Sequence, residues 1–140
     1  MPDKDSAQLN RAIKTALRDA GAGIDEIDYI SLDGAAVDIW DETEARAIKD
    51  VFGDRAKTIP ASCPKTMFGN LLGASGAVDL IVTILAMEHN LIPPTLNIEN
   101  PRPLGLDIVT GKARLKEINK ALIISRGRGG INSALVVEKE

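Results

Sequence analysis

One long apolar stretch, residues 71–89, constrains the fold of this chain more than any other part of the sequence. Its spacing predicts a helix, which Asn90 and the Pro93-Pro94 pair bring to an end. Because apolar side chains point in nearly every direction around the helical axis, this helix has to be buried on all sides. The apolar positions are Leu71, Leu72, Ala74, Ala77, Val78, Leu80, Ile81, Val82, Ile84, Leu85, Ala86 and Met87.

Three further residues indicate how this helix is buried. Gly73 and Gly76 are typical of close packing against another backbone. Asp79 interrupts the apolar run, and the run is shorter than the ~20 residues that a bilayer crossing needs. The segment is therefore predicted to be a core helix, and no membrane partner is expected.

The composition excludes several classes of protein. A chain of 140 residues with 44% hydrophobic residues is expected to form a single domain, residues 1–140. Lys and Arg total 17 against 20 Asp and Glu, and this net charge of −3 argues against nucleic acid as a partner. A single cysteine, Cys63, and a single histidine, His89, exclude an internal disulfide and a Cys/His zinc site, so no metal is expected. Since no signal-peptide pattern is present, we expect a cytoplasmic protein.

The other elements alternate strands with helices. A leading helix carries apolar residues at helical spacing from Leu9 to Ala20. The order that follows, β-α-β-α-β-β, predicts an α/β fold with a mixed sheet whose last two strands form an antiparallel hairpin. A capping box of Asp41 and Glu44 is expected to begin the second helix, which ends at Gly53. The predicted strands are residues 27–32, 57–61, 106–109, 121–125 and 133–138.

This arrangement leaves the helix over residues 71–89 without enough cover. One sheet with helices on its faces covers only one side of most of those helices. An exposed apolar face of this size is an aggregation liability. We therefore expect a second layer, which comes either from another chain or from a second copy of this one.

The glycine-rich turn at residues 126–130 matches no common ligand motif. It is not a dinucleotide fingerprint, because a strand follows it instead of a helix. It is also too short, and its chain too acidic, for an RGG-type nucleic-acid segment. Two interpretations stay open. The glycines either supply the positive φ of a hairpin, or present backbone N–H groups to a cleft as an oxyanion hole does.

The acidic residues between positions 33 and 44 are expected to differ in role. Asp33 follows a predicted strand, and ligand and catalytic groups collect at such strand ends in α/β proteins. The others are expected to form a solvated loop and helix N-terminus, namely Asp38, Asp41, Glu42 and Glu44.

The remaining candidate residues surround the entry to the long helix. Cys63 has no obvious histidine partner and is interpreted as a buried structural thiol. His89 is expected at a helix C-terminus, where an imidazolium suits the dipole. Lys65 is either a surface charge or a site residue, and Thr66 or Asn70 is expected to cap the helix.

Several blocks of the sequence together resemble the β-ketoacyl-[acyl carrier protein] synthases, which are thiolase-like condensing enzymes. Residues 64–74, Pro-Lys-Thr-Met-Phe-Gly-Asn-Leu-Leu-Gly-Ala, are similar to the lysine motif of that family. Residues 92–97, 106–109 and 127–134 continue the match in order. The subgroup most similar over residues 33–37, 64–67 and 125–134 is the chain length factor, the ketosynthase β subunit of type II polyketide systems.

The resemblance implies a fold and explains the apolar helix. The family fold has two similar β-α-β-α-β-β halves stacked with helices between them, and this chain corresponds to the C-terminal half. Such a half has a mixed five-stranded sheet with helices on both faces. The N-terminal half would then cover the outer side of the helix over residues 71–89.

The resemblance also implies that most of the catalytic groups are absent. Active members use a cysteine nucleophile, two histidines and a lysine. Only the lysine is retained, as Lys65, while the histidine positions correspond to Asp33 and Asn70. Cys63 does not occupy the position of the nucleophile, and nothing else matches its motif.

Two further parts of the family site are altered. The threonines that bind the phosphopantetheine arm correspond to Ala35 and Val37, which have no hydroxyl group. The gating phenylalanine of the glycine turn corresponds to Arg128, between Gly127 and Gly129. By resemblance, these five residues form the substrate-binding positions.

The expected function is a non-catalytic, chain-length-factor-like subunit of a type II polyketide or fatty-acid-like synthase. Its expected partners are a ketosynthase or a separate N-terminal half, together with an acyl carrier protein whose phosphopantetheine carries the acyl group. No cofactor of its own is expected. The first alternative is the C-terminal half of a split synthase, an acyltransferase active only when a partner supplies the cysteine. The second is a binding module that self-associates as a homo-oligomer.

Overall fold

A mixed five-stranded sheet with helices on both faces organises the chain in a computed structural model, which describes residues 6–99 and 102–140. The strand order is β4-β2-β1-β6-β7, with every neighbouring pair parallel except the β6–β7 hairpin. The predicted α/β class and the final hairpin are therefore confirmed. The elements are α1 (Ala7–Asp19), β1 (Tyr29–Ser31), α2 (Asp38–Phe52), β2 (Pro60–Ser62), α3 (Ser75–His89), β3 (Leu91–Ile92), β4 (Asp107–Ile108), β5 (Arg114–Leu115), β6 (Lys120–Gly127) and β7 (Ile131–Glu138).

Helices α1 and α2 cover one face of the sheet. The apolar stripe of α1 repeats at helical spacing, so its buried residues all face inward. They pack against α2 and against the strand residues that point to this face. The principal members of this core are Leu9, Ile13, Leu17, Ile30, Ile48, Phe52, Leu122 and Ile124.

Helix α3 covers the opposite face, where alternate strand residues such as Tyr29 and Ala121 point. Only its C-terminal end joins the apolar core of this face, through Ala86 and Met87. The other residues that α3 buries are polar, namely Ser75, Asp79 and Thr83.

The outer side of α3 is apolar and open in this chain. The exposed fractions are 57% for Ile81, 39% for Ile84 and 47% for Leu85. On β7, Ile131 and Leu135 are also exposed, at 66% and 46%. The expectation that α3 is buried on all sides is thus not met by residues 6–99 and 102–140, because the one layer that they form covers mainly its polar side. We call these five residues the open face.

Two helix starts were predicted wrongly and one small sheet was missed, each for a local reason. Helix α2 begins at Asp38, so Trp40 is helical and Asp41 is not a capping residue. Helix α3 begins at Ser75, because Leu72–Ala74 form a 3-10 turn and Leu72 has a φ of 53°. The small antiparallel sheet of β3 and β5 was not predicted, since two-residue strands carry no periodic signal.

The prediction that this apolar segment is too short to cross a membrane is wrong by length and composition. Residues Leu72–His89 are long and apolar enough, by length and composition alone, to cross a membrane. The core helix of a soluble protein passes the same test. Here Asp79 and Thr83 are buried against the sheet, at 1% and 0% exposure, which agrees with the interpretation of a core helix.

Candidate functional site

Lys65 lies between two buried carboxylates at the C-terminal ends of the parallel strands. Asp33 follows β1, Lys65 follows β2 in the 3-10 turn Pro64–Met67, and Asp79 projects from α3. The Lys65 Nζ atom is 3.0 Å from Asp33 Oδ1 and 3.5 Å from Asp79 Oδ2. Neighbouring parallel strands end at the same edge of a sheet, so the fold itself brings the first two side chains together. We call these three residues the charge centre.

Because the charge centre is buried, its three charges interact strongly with one another. The side chains of Lys65, Asp33 and Asp79 are 5%, 7% and 1% exposed. Burial alone lowers the pKa of Lys65, but the charge and hydrogen bond of Asp33 and the charge of Asp79 outweigh it, so the pKa is raised. Burial raises the pKa of Asp79, against the opposing effect of Lys65. Lys65 therefore stays protonated, and its positive charge is paired with the carboxylates of Asp33 and Asp79.

Glu44 supports the charge centre from α2. Its carboxylate accepts hydrogen bonds from the backbone N–H groups of Asp33, at 2.7 Å, and Gly34, at 3.0 Å. Glu44 was predicted to form a capping box with Asp41. Its carboxylate binds the Asp33 and Gly34 N–H groups instead. Burial raises the pKa of Glu44 to about 7, even though the two N–H groups and Arg126 favour the charged form. Glu44 is thus a buried acid that holds the loop after β1.

Replacing Glu44 with glutamine is expected to change the pH dependence of stability. Because the folded-state pKa is raised from 4.5 to about 7, the native protein binds the extra proton in that window. Stability should therefore fall as the pH rises from about 4.5 through 7. The difference in unfolding free energy between wild type and Glu44→Gln should change by about 3 kcal/mol across this window. Urea titrations at several pH values measure it.

Exposed Glu42, on the same helix, provides the matched control. Glu42→Gln should leave the pH slope between 4.5 and 7 as it is in wild type. A Glu44→Gln protein with the wild-type slope would contradict a raised pKa at Glu44.

Arg126 joins the charge centre to the β6–β7 hairpin. Its backbone N–H donates to Asp33 Oδ1 at 3.2 Å. Its guanidinium donates to the Trp40 carbonyl at 2.8 Å and to Thr43 Oγ1 at 3.3 Å. The guanidinium also lies 5.6 Å from the centre of the Trp40 ring, within cation–π range. The start of α2 and the end of β6 are therefore fastened together beside Asp33.

Cys63 is a buried thiol, as the sequence indicated. It is 4% exposed, and its Sγ lies 3.6 Å from the Asp33 carbonyl oxygen and 3.7 Å from that of Gly34. Burial raises the pKa of Cys63 to about 12, with Lys65 opposing and the nearby acids reinforcing the shift, so the thiolate is disfavoured. A Cβ atom on Gly34 would lie 2.4 Å from this sulfur, which explains glycine there.

Of the residues chosen from the sequence, the structure brings Asp33 and Lys65 together but not Asn70. Asn70 is exposed, and its Oδ1 accepts hydrogen bonds from the Leu72 N–H at 2.8 Å and from Ser75 Oγ at 3.0 Å. It closes the turn before α3 and does not cap the helix itself. Thr66 instead donates to the Cys63 carbonyl at 2.9 Å.

The other chosen positions lie in the loop after β1 and at the β6–β7 turn. Ala35 is half-buried in the loop after β1, and Val37, 46% exposed, precedes α2. Gly127 ends β6, and Arg128 and Gly129 are exposed in the hairpin turn.

The acidic residues divide differently from the prediction. Glu44 is buried instead of solvated, at 3% exposure. Asp38 and Glu42 are at the surface, where both pair with Arg102 at 2.7 and 2.8 Å. His89 is exposed as the last residue of α3.

Sequence reasoning missed Asp79, Glu44 and Arg126 as members of the site. Asp79 did give a signal, because an isolated acid in an apolar helix is buried only with a cationic partner. Glu44 and Arg126 gave none, since their roles depend on contacts between distant elements.

Comparisons with known proteins show the family and the fold of the chain. The sequence profile of a family described as "Beta-ketoacyl synthase, C-terminal domain" matches residues 1–99. The 3-oxoacyl-[acyl-carrier-protein] synthase 2 of Coxiella burnetii is 40% identical over 139 residues, which are 99% of this chain and 34% of that protein. The tetracenomycin polyketide synthase ketoacyl synthase beta subunit of Streptomyces glaucescens is 38% identical over 130 residues, 92% of this chain and 31% of that protein.

A solved structure, the ishigamide ketosynthase/chain length factor, superposes with a TM-score of 0.92 at 35% identity. The match covers 99% of this chain and 34% of that one. The thiolase-like fold expected from the sequence is thereby confirmed. The chain spans about a third of the length of the curated relatives it matches.

Proposed function

The chain belongs to the family of β-ketoacyl synthase C-terminal domains, and on this premise we propose that it is a non-catalytic, chain-length-factor-like subunit. It acts in a type II polyketide or fatty-acid-like synthase, where it completes or pairs with a ketosynthase. An acyl carrier protein is the proposed further partner, and the cytoplasm the proposed location. The role of the chain is to shape the complex instead of carrying out the condensation.

The charge centre is the observation that carries this proposal. Condensation develops negative charge on an oxygen, and a site stabilises it with donors that are free to bind it. Asp33 instead presents a carboxylate, and it takes up the Lys65 ammonium at 3.0 Å. Asn70, the other position where the resemblance implies histidine, is bound to its own turn. Cys63 is a neutral buried thiol. This arrangement supports a scaffold role.

The open face supports a partner layer. Its residues Ile81, Ile84, Leu85, Ile131 and Leu135 are exposed although each is strongly apolar. Large exposed apolar patches mark interaction sites. Since the chain spans about a third of its curated relatives, the proposed occupant of this face is the part of a ketosynthase that this chain lacks.

The split-synthase alternative rests on one retained group. Lys65 is present, and the Coxiella burnetii relative at 40% identity is named as a synthase. In this alternative a partner supplies the cysteine.

A chimera distinguishes the two proposals. The matching third of the Coxiella burnetii synthase is replaced by this chain, and condensation is assayed with malonyl- and acyl-[acyl carrier protein]. The non-catalytic proposal predicts no condensation, and partial recovery when Asp33→His and Asn70→His are introduced together. Those substitutions return donors to both positions where the resemblance implies histidine.

Folding is checked separately, because an inactive chimera is informative only if it is folded. Size-exclusion elution and a cooperative thermal transition are required of both chimeras. Condensation by the chimera before the histidines are introduced, abolished by Lys65→Ala, would favour the split synthase and overturn the non-catalytic proposal.

A further inference from the structure

The exposed hairpin turn and the buried charge centre share one connecting residue, Arg126. It lies in β6, and Gly127 separates it from the turn formed by residues 128–130. Its Nε donates to Asn132 Oδ1 at 3.3 Å, so the side chain also ties the two strands of the hairpin together. Asn132 in turn donates to the Gly130 carbonyl at 3.0 Å. The turn is thus held from its base.

The same residue reaches the start of α2. The guanidinium donates to the Trp40 carbonyl and Thr43 Oγ1, and it lies 5.6 Å from the centre of the Trp40 ring. A planar guanidinium satisfies several acceptors in fixed directions, which lysine does not reproduce. Hairpin and helix therefore move together while these contacts persist.

Asp33 Oδ1 connects this assembly to the charge centre. That one oxygen accepts the Arg126 backbone N–H at 3.2 Å and the Lys65 ammonium at 3.0 Å. Any change in the position of Asp33 therefore acts on β6 at the residue that holds the turn.

The turn itself is the free end of this connection. Gly129 and Gly130 have φ values of 82° and 83°, which glycine adopts without strain. Arg128 is exposed and makes no side-chain hydrogen bond or ion pair with the described part of the chain. Among the described residues, the turn is held at its base, by the Gly127–Ile131 strand pair and by the side chains of Arg126 and Asn132.

We propose that Arg126 is a positioning residue that couples the charge centre to the hairpin turn. While Asp33 is bound to Lys65 and to the Arg126 N–H, Arg126 holds the base of the turn against α2, and loss of the Asp33 contact releases the turn. The coupling rests on geometry alone and holds whether or not the chain is catalytic. It gives a partner at the exposed turn a physical connection to the buried residues.

Hydrogen exchange of the turn and the emission of Trp40, the single tryptophan, test the coupling in the full chain. Asp33→Ala removes the shared oxygen and leaves Lys65 paired with Asp79 alone. It should speed amide exchange at residues 128–131 by about tenfold or more, the loss expected for a hydrogen bond to a charged group. It should also shift the Trp40 emission.

Three further variants complete the test. Arg126→Gln should produce the same two changes, and the double variant with Asp33→Ala should add nothing further, because both act along one connection. Arg126→Lys should produce the same two changes as Arg126→Gln but smaller ones, because lysine replaces the guanidinium contacts only in part. Arg128→Gln, which changes the neighbouring arginine in the turn itself, should leave exchange and emission unchanged.

Unfolding is monitored for each variant, and Asp33→Val, which also lacks the acceptor oxygen, replaces Asp33→Ala if the latter does not fold. Faster turn exchange in Arg126→Gln but not in the Asp33 variants would overturn the coupling. Additive effects in the double variant would overturn it as well.

Discussion

Replacing Lys65 with methionine is expected to lower the free energy of unfolding by about 3–5 kcal/mol, the range for breaking a buried ion pair from one side. The substitution keeps the length of the side chain but leaves Asp33 and Asp79 buried without a counter-charge. Neither Asp79 oxygen receives a hydrogen bond among the described residues, so this acid has no other compensation there. Urea denaturation at neutral pH measures the loss.

The pH dependence of this loss identifies its electrostatic origin. Buried carboxylates without a partner have raised pKa values, so the folded variant binds protons that the unfolded chain releases. The stability of Lys65→Met should therefore increase as the pH falls from neutral towards the ordinary carboxylate range. Adding Asp33→Asn and Asp79→Asn to the same chain should recover most of the loss at neutral pH.

Lys57 is the matched surface control for this experiment. Its ammonium lies 2.9 Å from Asp54, with side chains 66% and 98% exposed. An exposed pair contributes little, so Lys57→Met should change stability by less than about 1 kcal/mol. Equal losses in the two methionine variants would show that the charge centre is not a coupled buried cluster.

Periodicity predicted the helices and the long strands because packing agrees with local pattern in those segments. The stripe of α1 and the two strands of the hairpin are clear examples. The start of α2 was predicted too late because Asp41 and Glu44 have capping spacing. In the folded chain the Glu44 carboxylate does not cap the helix. It accepts hydrogen bonds from the backbone N–H groups of Asp33 and Gly34.

The site could be predicted only where one element determines it. Asp33 was found because it follows a strand whose C-terminal end faces other strand ends. Lys65 was left undecided because its partner depends on the approach of β1 and α3, which no local pattern contains. Asn70 was placed beside them by resemblance, yet the Leu72 N–H and Ser75 hydroxyl hold it in its own turn. The burial of Asp79 was not predicted. It arises because Asp79 lies on the side of α3 that faces the sheet.

The open face should be important to an assembly and unimportant to the isolated chain. Ile81 and Leu85 are 57% and 47% exposed, so the double variant Ile81→Glu and Leu85→Glu should alter the stability of the isolated chain by less than about 1 kcal/mol. In the chimera with the Coxiella burnetii synthase, the same pair should cost at least about 3 kcal/mol. Each apolar side chain there loses about 1.5–3 kcal/mol of burial, and each glutamate adds a desolvation cost.

Parallel unfolding measurements on the two proteins give this comparison, and light scattering should show less self-association of the isolated double variant. Ile24→Glu is the matched control, because Ile24 is also exposed, at 38%, but lies in the 3-10 turn Ile24–Glu26 before β1. It should affect neither protein by more than about 1 kcal/mol. An equal loss in chain and chimera would assign Ile81 and Leu85 to the core of this chain itself. No loss in either protein would contradict the prediction that a second layer covers the open face.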